Sequence, residues 1–277
     1  MWAAGAGGAQ PACYCSRVPR FKLTIEYAGT RYSGWQKQRN ARTVQGEIDR
    51  AIVAAFGEVL VDSQGSGRTD AGVHALAQVA HIDVTRAPSP ELVRRGINEG
   101  LPADIHILDV APVPRTFHAR HSAVSRSYLY QISRRRSAFA KPYVWWVREP
   151  LDLEAMQAGA AAFVGMHDFR AFSDDDPGVK STRVLLDEVR VEACGALALV
   201  RVAGSHFLWK MVRRMVGVLA AVGTGDLDPT DVADLLAAGR GDVVATLTAP
   251  AAGLFLERVR YPGDGGDLPL APAVMVR

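Results

Sequence analysis

The sequence predicts an α+β protein of two ferredoxin-like (βαββαβ) lobes, with adjoining antiparallel sheets and a central positively charged cleft. Three observations predict it. Alternating and helix-periodic segments follow the order strand, helix, strand, strand, helix, strand across residues 21–112. The same order returns across residues 113–262 with one helix added. Between residues 110 and 148 there is no Asp or Glu, while Arg115, Arg120, Arg126, Arg134, Arg135, Arg136, Lys141 and Arg148 all fall inside, concentrating positive charge at the start of the second half.

The elements follow in order. Residues 21–28 (FKLTIEYA) alternate apolar and polar positions as a strand does. A turn with Gly29 and Gly34 leads to Trp35, and Thr43 then caps a helix over residues 44–56, with Val44, Ile48, Ala51, Ile52, Ala55 and Phe56 on one face. Strands are expected at 58–62 and 76–84. Ser89 caps a helix over 90–99 with Pro90 at its first position, and 104–111 is a further strand. In the second half, strands are expected at 126–133, 183–192, 196–203 and 254–261, and helices at 153–163 and 207–222. An added helix over 229–238 has Asp228 as its cap. The repetition is one of element order, with no residue-level repeat.

Composition bounds the rest. With 277 residues, 48% of them hydrophobic, the chain can bury one large core or two ordinary ones, and its net charge of +3 is only mildly basic. Cys13, Cys15 and Cys194 form no disulfide framework, Cys13-x-Cys15 lacks the second ligand pair of a zinc site, and reduced thiols fit a cytoplasmic setting. No apolar run reaches membrane-spanning length, the longest (207–222) being interrupted by Lys210, Arg213 and Arg214. Residues 1–20, rich in Ala and Gly, lack a signal-peptide core and carry too few arginines for an organelle-targeting leader, so a disordered tail is expected. The Gly/Pro-rich residues 263–277 are expected to be loosely held.

The chemistry centres on residues 65–75, Gly-Ser-Gly-Arg-Thr-Asp-Ala-Gly-Val-His-Ala, a loop between two strands. In an extended segment Arg68 and Asp70 share a face, so the guanidinium would keep the carboxylate ionised. A small-residue loop presenting such a carboxylate suits a nucleophile or general base, while a surface turn with an ordinary ion pair is the commoner use of the same residues. Tyr128 lies on one strand face with Arg126, Tyr130 and Ile132, a position suited either to stacking on a base or to the core. Asp174-Asp175-Asp176 beside Pro177 and Gly178 reads as an exposed turn rather than a metal site. His74 and His81 lack a metal-ligand spacing, and His118 and His121 flank Arg120 on the basic surface. Gly65-x-Gly67 lacks the third glycine of a dinucleotide loop, which excludes a nucleotide-dependent oxidoreductase, and no Gly-x-Ser-x-Gly elbow is present.

Residues 67–75 (GRTDAGVHA) resemble the signature of the tRNA pseudouridine synthase A (TruA) family. The Gly-Trp-Gln core within 32–38, Arg-Thr-Val-Gln at 42–45, Phe-His-Ala-Arg at 117–120, Arg126-Ser127-Tyr128, Phe207-Leu208 with Met211-Val212-Arg213, and Gly-Leu-Phe-Leu at 253–256 stand in family order and at similar spacing. The resemblance spans roughly residues 21–261 and implies isomerisation of uridine to pseudouridine at positions 38, 39 and 40 of the tRNA anticodon arm. It implies a homodimer without cofactor or metal, with Asp70 as the catalytic nucleophile, Arg68 and Arg213 flanking it, and Tyr128 packing on the target base. Asp70 would attack C1′, attack the base, or assist loss of the C2′ proton. Ala28 departs from the family, which often has an acid there. Arg115, Arg120, Arg126, Arg134, Arg135 and Arg136 are the candidates for gripping RNA. The competing class, a non-catalytic RNA-binding module on the same lobes, would show an aromatic RNP pattern, which is absent from the sequence.

Overall fold

The structure is a computed structural model that describes residues 18–57, 60–85, 89–179, 181–239, 242–266 and 268–276. It is a mixed α+β fold with one large, mostly antiparallel sheet. Its elements run β1 (Arg20–Tyr27), α1 (Val44–Phe56), β2 (Leu60–Gly65), β3 (His74–Val84), α2 (Pro90–Gly100), β4 (Ile105–Val113), β5 (Ser125–Ser133), β6 (Trp145–Trp146), α3 (Leu153–Ala161), β7 (Gly165–Asp168), β8 (Arg183–Cys194), β9 (Leu197–Gly204), α4 (Met211–Thr224), α5 (Asp231–Ala237), α6 (Asp242–Thr246) and β10 (Leu254–Arg260). Most boundaries sit within a few residues of those read from the sequence. Strands β6 and β7 and helix α6 carry too few residues for a periodic signal. Most of the expected N-terminal tail, residues 1–17, lies outside the described residues.

The sheet runs β4-β1-β3-β10-β5-β9-β8-β7, with β2 on β3 and β6 on β5. Most neighbours are antiparallel, the exceptions being β10 on β3 and β6 on β5. Thus β10, late in sequence, lies between β3, which follows the Asp70 loop, and the Tyr128 strand β5. Its Phe255 and Leu256 pair with His74 and Ala75 on one side, and Leu256 pairs with Tyr128 on the other.

Alternation on β1 buries Phe21, Leu23, Ile25 and Tyr27. They meet Val44, Ile48 and Ile52 of α1 and Val93 and Ile97 of α2 in one core. Two expected caps act as such: the Thr43 hydroxyl accepts from Gly46 N and the Ser89 hydroxyl from Leu92 N, whereas the helix expected from residue 229 starts at Asp231 after Thr230, and Asp228 instead accepts from Thr230. A second core joins Met156 and Ala160 of α3 and Met215, Val216 and Leu219 of α4 to Ile132, Val200 and Val202 of the sheet. Tyr128 packs against both cores. Ala119 belongs to the first core, and Tyr261 donates to its carbonyl at 2.7 Å, so residues past 113 fold back onto the first half.

Two expectations are corrected. Helix α4 begins at Met211 rather than at residue 207, because Lys210 takes a left-handed conformation (φ 63°) that ends the preceding turn. The segment expected to be loose after residue 262 is anchored. Leu268 and Pro269 carbonyls accept from Arg201 at 2.7 and 2.9 Å, Ala273 N donates to Gln131 at 2.7 Å, and Val276 is buried with Leu129, Leu199 and Phe255. Pro and Gly counts do not reveal such backbone partners.

Arg201 also forms a bidentate pair with Glu257 at 2.8 and 2.6 Å, both side chains being buried. Glu257→Gln strands that guanidinium without its counter-charge and is expected to cost about 3–5 kcal/mol. Urea denaturation reads this as a lower midpoint with an unchanged slope.

Candidate active site

The loop between β2 and β3 is held from several sides. Trp35, fully buried, lies over Gly65 so closely that a Cβ there would fall 2.4 Å from the indole nitrogen. Trp35 N donates to the Thr69 carbonyl at 3.1 Å, and the Thr69 and Tyr27 hydroxyls share a hydrogen bond of 2.8 Å. Gly34, at φ +91°, brings the same segment against Thr69, where a Cβ would sit 2.6 Å from the carbonyl oxygen. The Ser66 hydroxyl donates to Gln78 at 2.7 Å, and Gly29 N donates to His74 Nδ1 at 3.0 Å. Beyond Asp70 the chain turns, with Val73 N donating to the Asp70 carbonyl at 3.2 Å and Gly72 at φ +81°.

Asp70 is held between the two halves of the sequence. Arg213 of α4 approaches its Oδ2 at 3.6 Å, while Arg213 Nε donates to the Ala249 carbonyl at 2.7 Å and so fixes the guanidinium. Lys210 adds positive potential. Burial nevertheless dominates: it raises the Asp70 pKa above the ordinary carboxylate value, with Arg213 and Lys210 opposing it. Tyr128 is pushed up to about 12 by burial and by the Asp70 charge, so its phenol keeps its proton. Phe207 meets the Tyr128 ring edge-on at 4.9 Å.

Arg68 does not hold the carboxylate. It is exposed, and among the described residues the ion pair of Asp70 is with Arg213. The alternate-residue rule fails here because Thr69 is drawn inward by Tyr27 and Trp35 and the backbone turns at Asp70. Arg126, expected on the RNA-gripping surface, is engaged by protein. It donates to the carbonyls of Ser205 and Ser66 at 3.0 Å each and of Arg120 at 2.7 Å, pinning the start of the loop. Arg115 sits 3.7 Å from Asp83, which Arg20 also holds. Arg120 is exposed. Arg134, Arg135 and Arg136 are exposed at the opposite end of β5, about 20 Å along the strand from Tyr128 at its rise per residue. Arg134 donates to Gly195 O at the β8–β9 turn, and Arg136 lies 5.7 Å from the Trp146 ring centre.

Sequence reasoning does not find Trp35 as a support of the loop, although it carries a signal, the Gly-Trp pair after a turn. Among the described residues no group of three His, Cys, Asp or Glu gathers as metal ligands, and no helix is long and apolar enough to cross a membrane.

Comparison with known proteins points the same way as this geometry. A family model described as tRNA pseudouridine synthase matches residues 23–122 and 160–262. The tRNA pseudouridine synthase A of Nitrobacter winogradskyi is 43% identical over 250 residues, covering 89% of this chain and 97% of that protein. Those of Nitrobacter hamburgensis (43% over 247 residues, 88% and 100% covered) and Beijerinckia indica (41% over 254 residues, 90% and 96%) are similarly near.

The raised Asp70 pKa makes a stability prediction. Between the ordinary carboxylate value and the raised one, the folded state binds more protons than the unfolded state, so stability falls as pH rises through that window. Asp70→Asn removes the loss. Its Tm relative to the parent protein is expected to climb from acid towards neutral pH and to stay level or higher at pH 7, as a calorimetric pH series checks.

Proposed function

The chain belongs to the tRNA pseudouridine synthase family, and from that premise we propose that Asp70 is the carboxylate with which it isomerises uridine at positions 38, 39 and 40 of the tRNA anticodon arm. The protein is an isomerase that converts uridine to pseudouridine in tRNA. The observation that carries the assignment to Asp70 is its position. It is a partly buried carboxylate paired with Arg213 and near the protonated phenol of Tyr128, where residues of both cores meet.

The reaction breaks the N1–C1′ bond, turns the base and joins C5 to C1′; C5 gives up its proton and N1 takes one up, so the product is an isomer of the substrate. It is redox-neutral. An ionised carboxylate serves it by attacking C1′, by attacking the base, or by assisting loss of the C2′ proton, and Arg213 keeps the carboxylate available in each case. The target uridine must leave the stack, at a cost of a few kcal/mol, and stacking on Tyr128 offsets part of that. Arg68, free of Asp70 and exposed beside it, serves the approaching RNA backbone. The strand orders β4-β1-β3-β2 and β10-β5-β9-β8 support two ferredoxin-like lobes, 21–112 and 113–262, meeting at a basic cleft lined by Arg68, Lys210 and Arg213. We take the working form to be a cytoplasmic homodimer that needs no cofactor. A non-catalytic RNA-binding module has no use for a carboxylate held partly out of water.

Incubation of the purified protein with an unmodified tRNA transcript, followed by mapping of pseudouridine, tests the reading. Product is expected within positions 38–40 and is lost in Asp70→Asn, whose tRNA affinity stays near that of the parent. Turnover by Asp70→Asn within about tenfold of the parent rate, a barrier change of only ~1.4 kcal/mol, refutes the assignment.

The basic run makes a separate prediction. Replacing Arg134, Arg135 and Arg136 together with Gln is expected to flatten the dependence of log Kd on log salt by about one unit for each phosphate that is no longer neutralised. An unchanged slope shows that this end of the sheet does not meet RNA.

A further inference from the structure

The loop that joins β5 to β6 is fixed at its base and open at its surface. Strand β6 takes the place beside β5 that β10 leaves: β10 pairs as far as Tyr130, and Trp145 and Trp146 then pair with Ile132 and Ser133. Ala140 and Val144 are buried with Leu129, Leu199 and Val276. Gln131 Nε2 donates to the Tyr143 carbonyl at 3.1 Å, and His74 Nε2 lies 2.9 Å from the Pro142 carbonyl oxygen. Val147 N donates to the Ser133 carbonyl at 3.1 Å. Yet Phe139, next to the buried Ala140, is 95% exposed, the most open large apolar side chain among the described residues. Trp146, 41% exposed, turns outward where its neighbour Trp145 packs on the core. Phe139 follows Arg136 by three residues, about 10 Å of chain at most, and the Arg136 guanidinium lies 5.7 Å from the Trp146 ring centre.

Two aromatic rings so open to water gain little for the fold, and the chain places cations around them. Arg134, Arg135, Arg136, Lys141 and Arg148 are all exposed, against one acid, Glu149, between residues 134 and 149. Arg134 and Arg135 donate to carbonyls, of Gly195 and Arg136, rather than to carboxylates, and Arg136 sits against a ring, so their charges stay uncancelled. Exposed rings among uncancelled cations suit single-stranded nucleic acid: the cations meet phosphates and the rings take unpaired bases. A second copy of the chain fits less well, because a two-fold interface sets the same cations against themselves. Trp146 stands beside Ser133, five residues along β5 from Tyr128, about 17 Å at the rise of a strand. That is the length of about five stacked pairs of a duplex. While a uridine is held at Tyr128, a base at Trp146 therefore belongs to another part of the tRNA.

We propose that Phe139, Trp146 and Arg136 form a stacking surface for unpaired bases of the tRNA outside the anticodon arm. The proposal rests on tRNA as the substrate and on the target uridine lying at Tyr128, and it is independent of the chemistry of Asp70. The cations and the rings divide the work. Phosphate contacts release counterions and weaken with salt, whereas a base–aromatic stack does not depend on counterions. A stack accepts any base, because every base has a π-face, so the surface selects for single strand and shape rather than for sequence. The anchored base of the loop keeps the rings presented before RNA arrives, which spares the ordering cost that a floppy loop would add to binding.

The test compares the Kd of the full chain for an unmodified tRNA transcript and for its isolated anticodon-arm hairpin, with sedimentation read in parallel. Trp146→Ala is expected to weaken tRNA binding by about tenfold, Phe139→Ala by about fivefold, and Trp146→Phe, which keeps a ring, by less than about threefold. Affinity for the hairpin is expected to stay within about twofold of the parent in all three, and a Tm near that of the parent shows them folded. The slope of log Kd on log salt is expected to hold in these variants, in contrast to the arginine replacements above. An unchanged tRNA Kd in the double variant Phe139→Ala, Trp146→Ala overturns the proposal, and so does an equal loss for hairpin and tRNA. A shift of the double variant to a smaller species in sedimentation assigns the surface to a second copy and overturns it too. Pseudouridine mapping with the parent protein keeps the two readings apart. Product at positions 38–40 leaves the reaction standing when the stacking surface fails, and its absence refutes the reaction whatever the Kd values.

Discussion

One contact organises this molecule: a carboxylate from the first half of the chain set against a guanidinium from the second. Asp70 stands on the β2–β3 loop and Arg213 on α4. Neither half makes the pair alone. Burial penalises the charge on Asp70, and the cations opposite it keep that penalty from winning outright. The result is a carboxylate that is partly desolvated yet paired from one direction.

The scaffold around the pair is asymmetric in what holds it. The Asp70 side is held by backbone: Trp35 N, Val73 N and the close approaches of Gly34 and Gly65 leave the loop little room. The Arg213 side is held by Ala249, whose carbonyl accepts from Arg213 Nε and whose N–H donates to the Arg213 carbonyl, and by the helix it stands on. Arg126 links the two regions through carbonyls at Ser66 and Ser205. A residue that reads as a phosphate ligand in an acid-free run is therefore a tie between the loop and the end of β9.

What the sequence can show follows from how local each signal is. Strand β1 and helix α1 are legible because alternation and capping are properties of adjacent residues, and Leu23, Ile25, Val44 and Ile48 declare their faces unaided. Asp70, Tyr128 and Arg213 emerge from a motif pattern, not from periodicity. The Arg68–Asp70 pair misleads because two-residue spacing says nothing once the backbone turns. Lys210 reads as part of a helix because its neighbours carry helical spacing, and no pattern announces a left-handed lysine. The anchored segment 268–276 is invisible because its partners, Arg201 and Gln131, are distant in sequence.

The placement of β10 has a consequence for how the protein is made. It enters the middle of the sheet, touching the residues that follow the Asp70 loop and the strand that bears Tyr128. Just before it, Ala249 and Pro250 receive Arg213 and Tyr130. A nascent polypeptide still on the ribosome short of residue 254 thus has its central seam unzipped. The seam that sets the Asp70 loop beside the Tyr128 strand therefore closes only once residues 254–260 have been made.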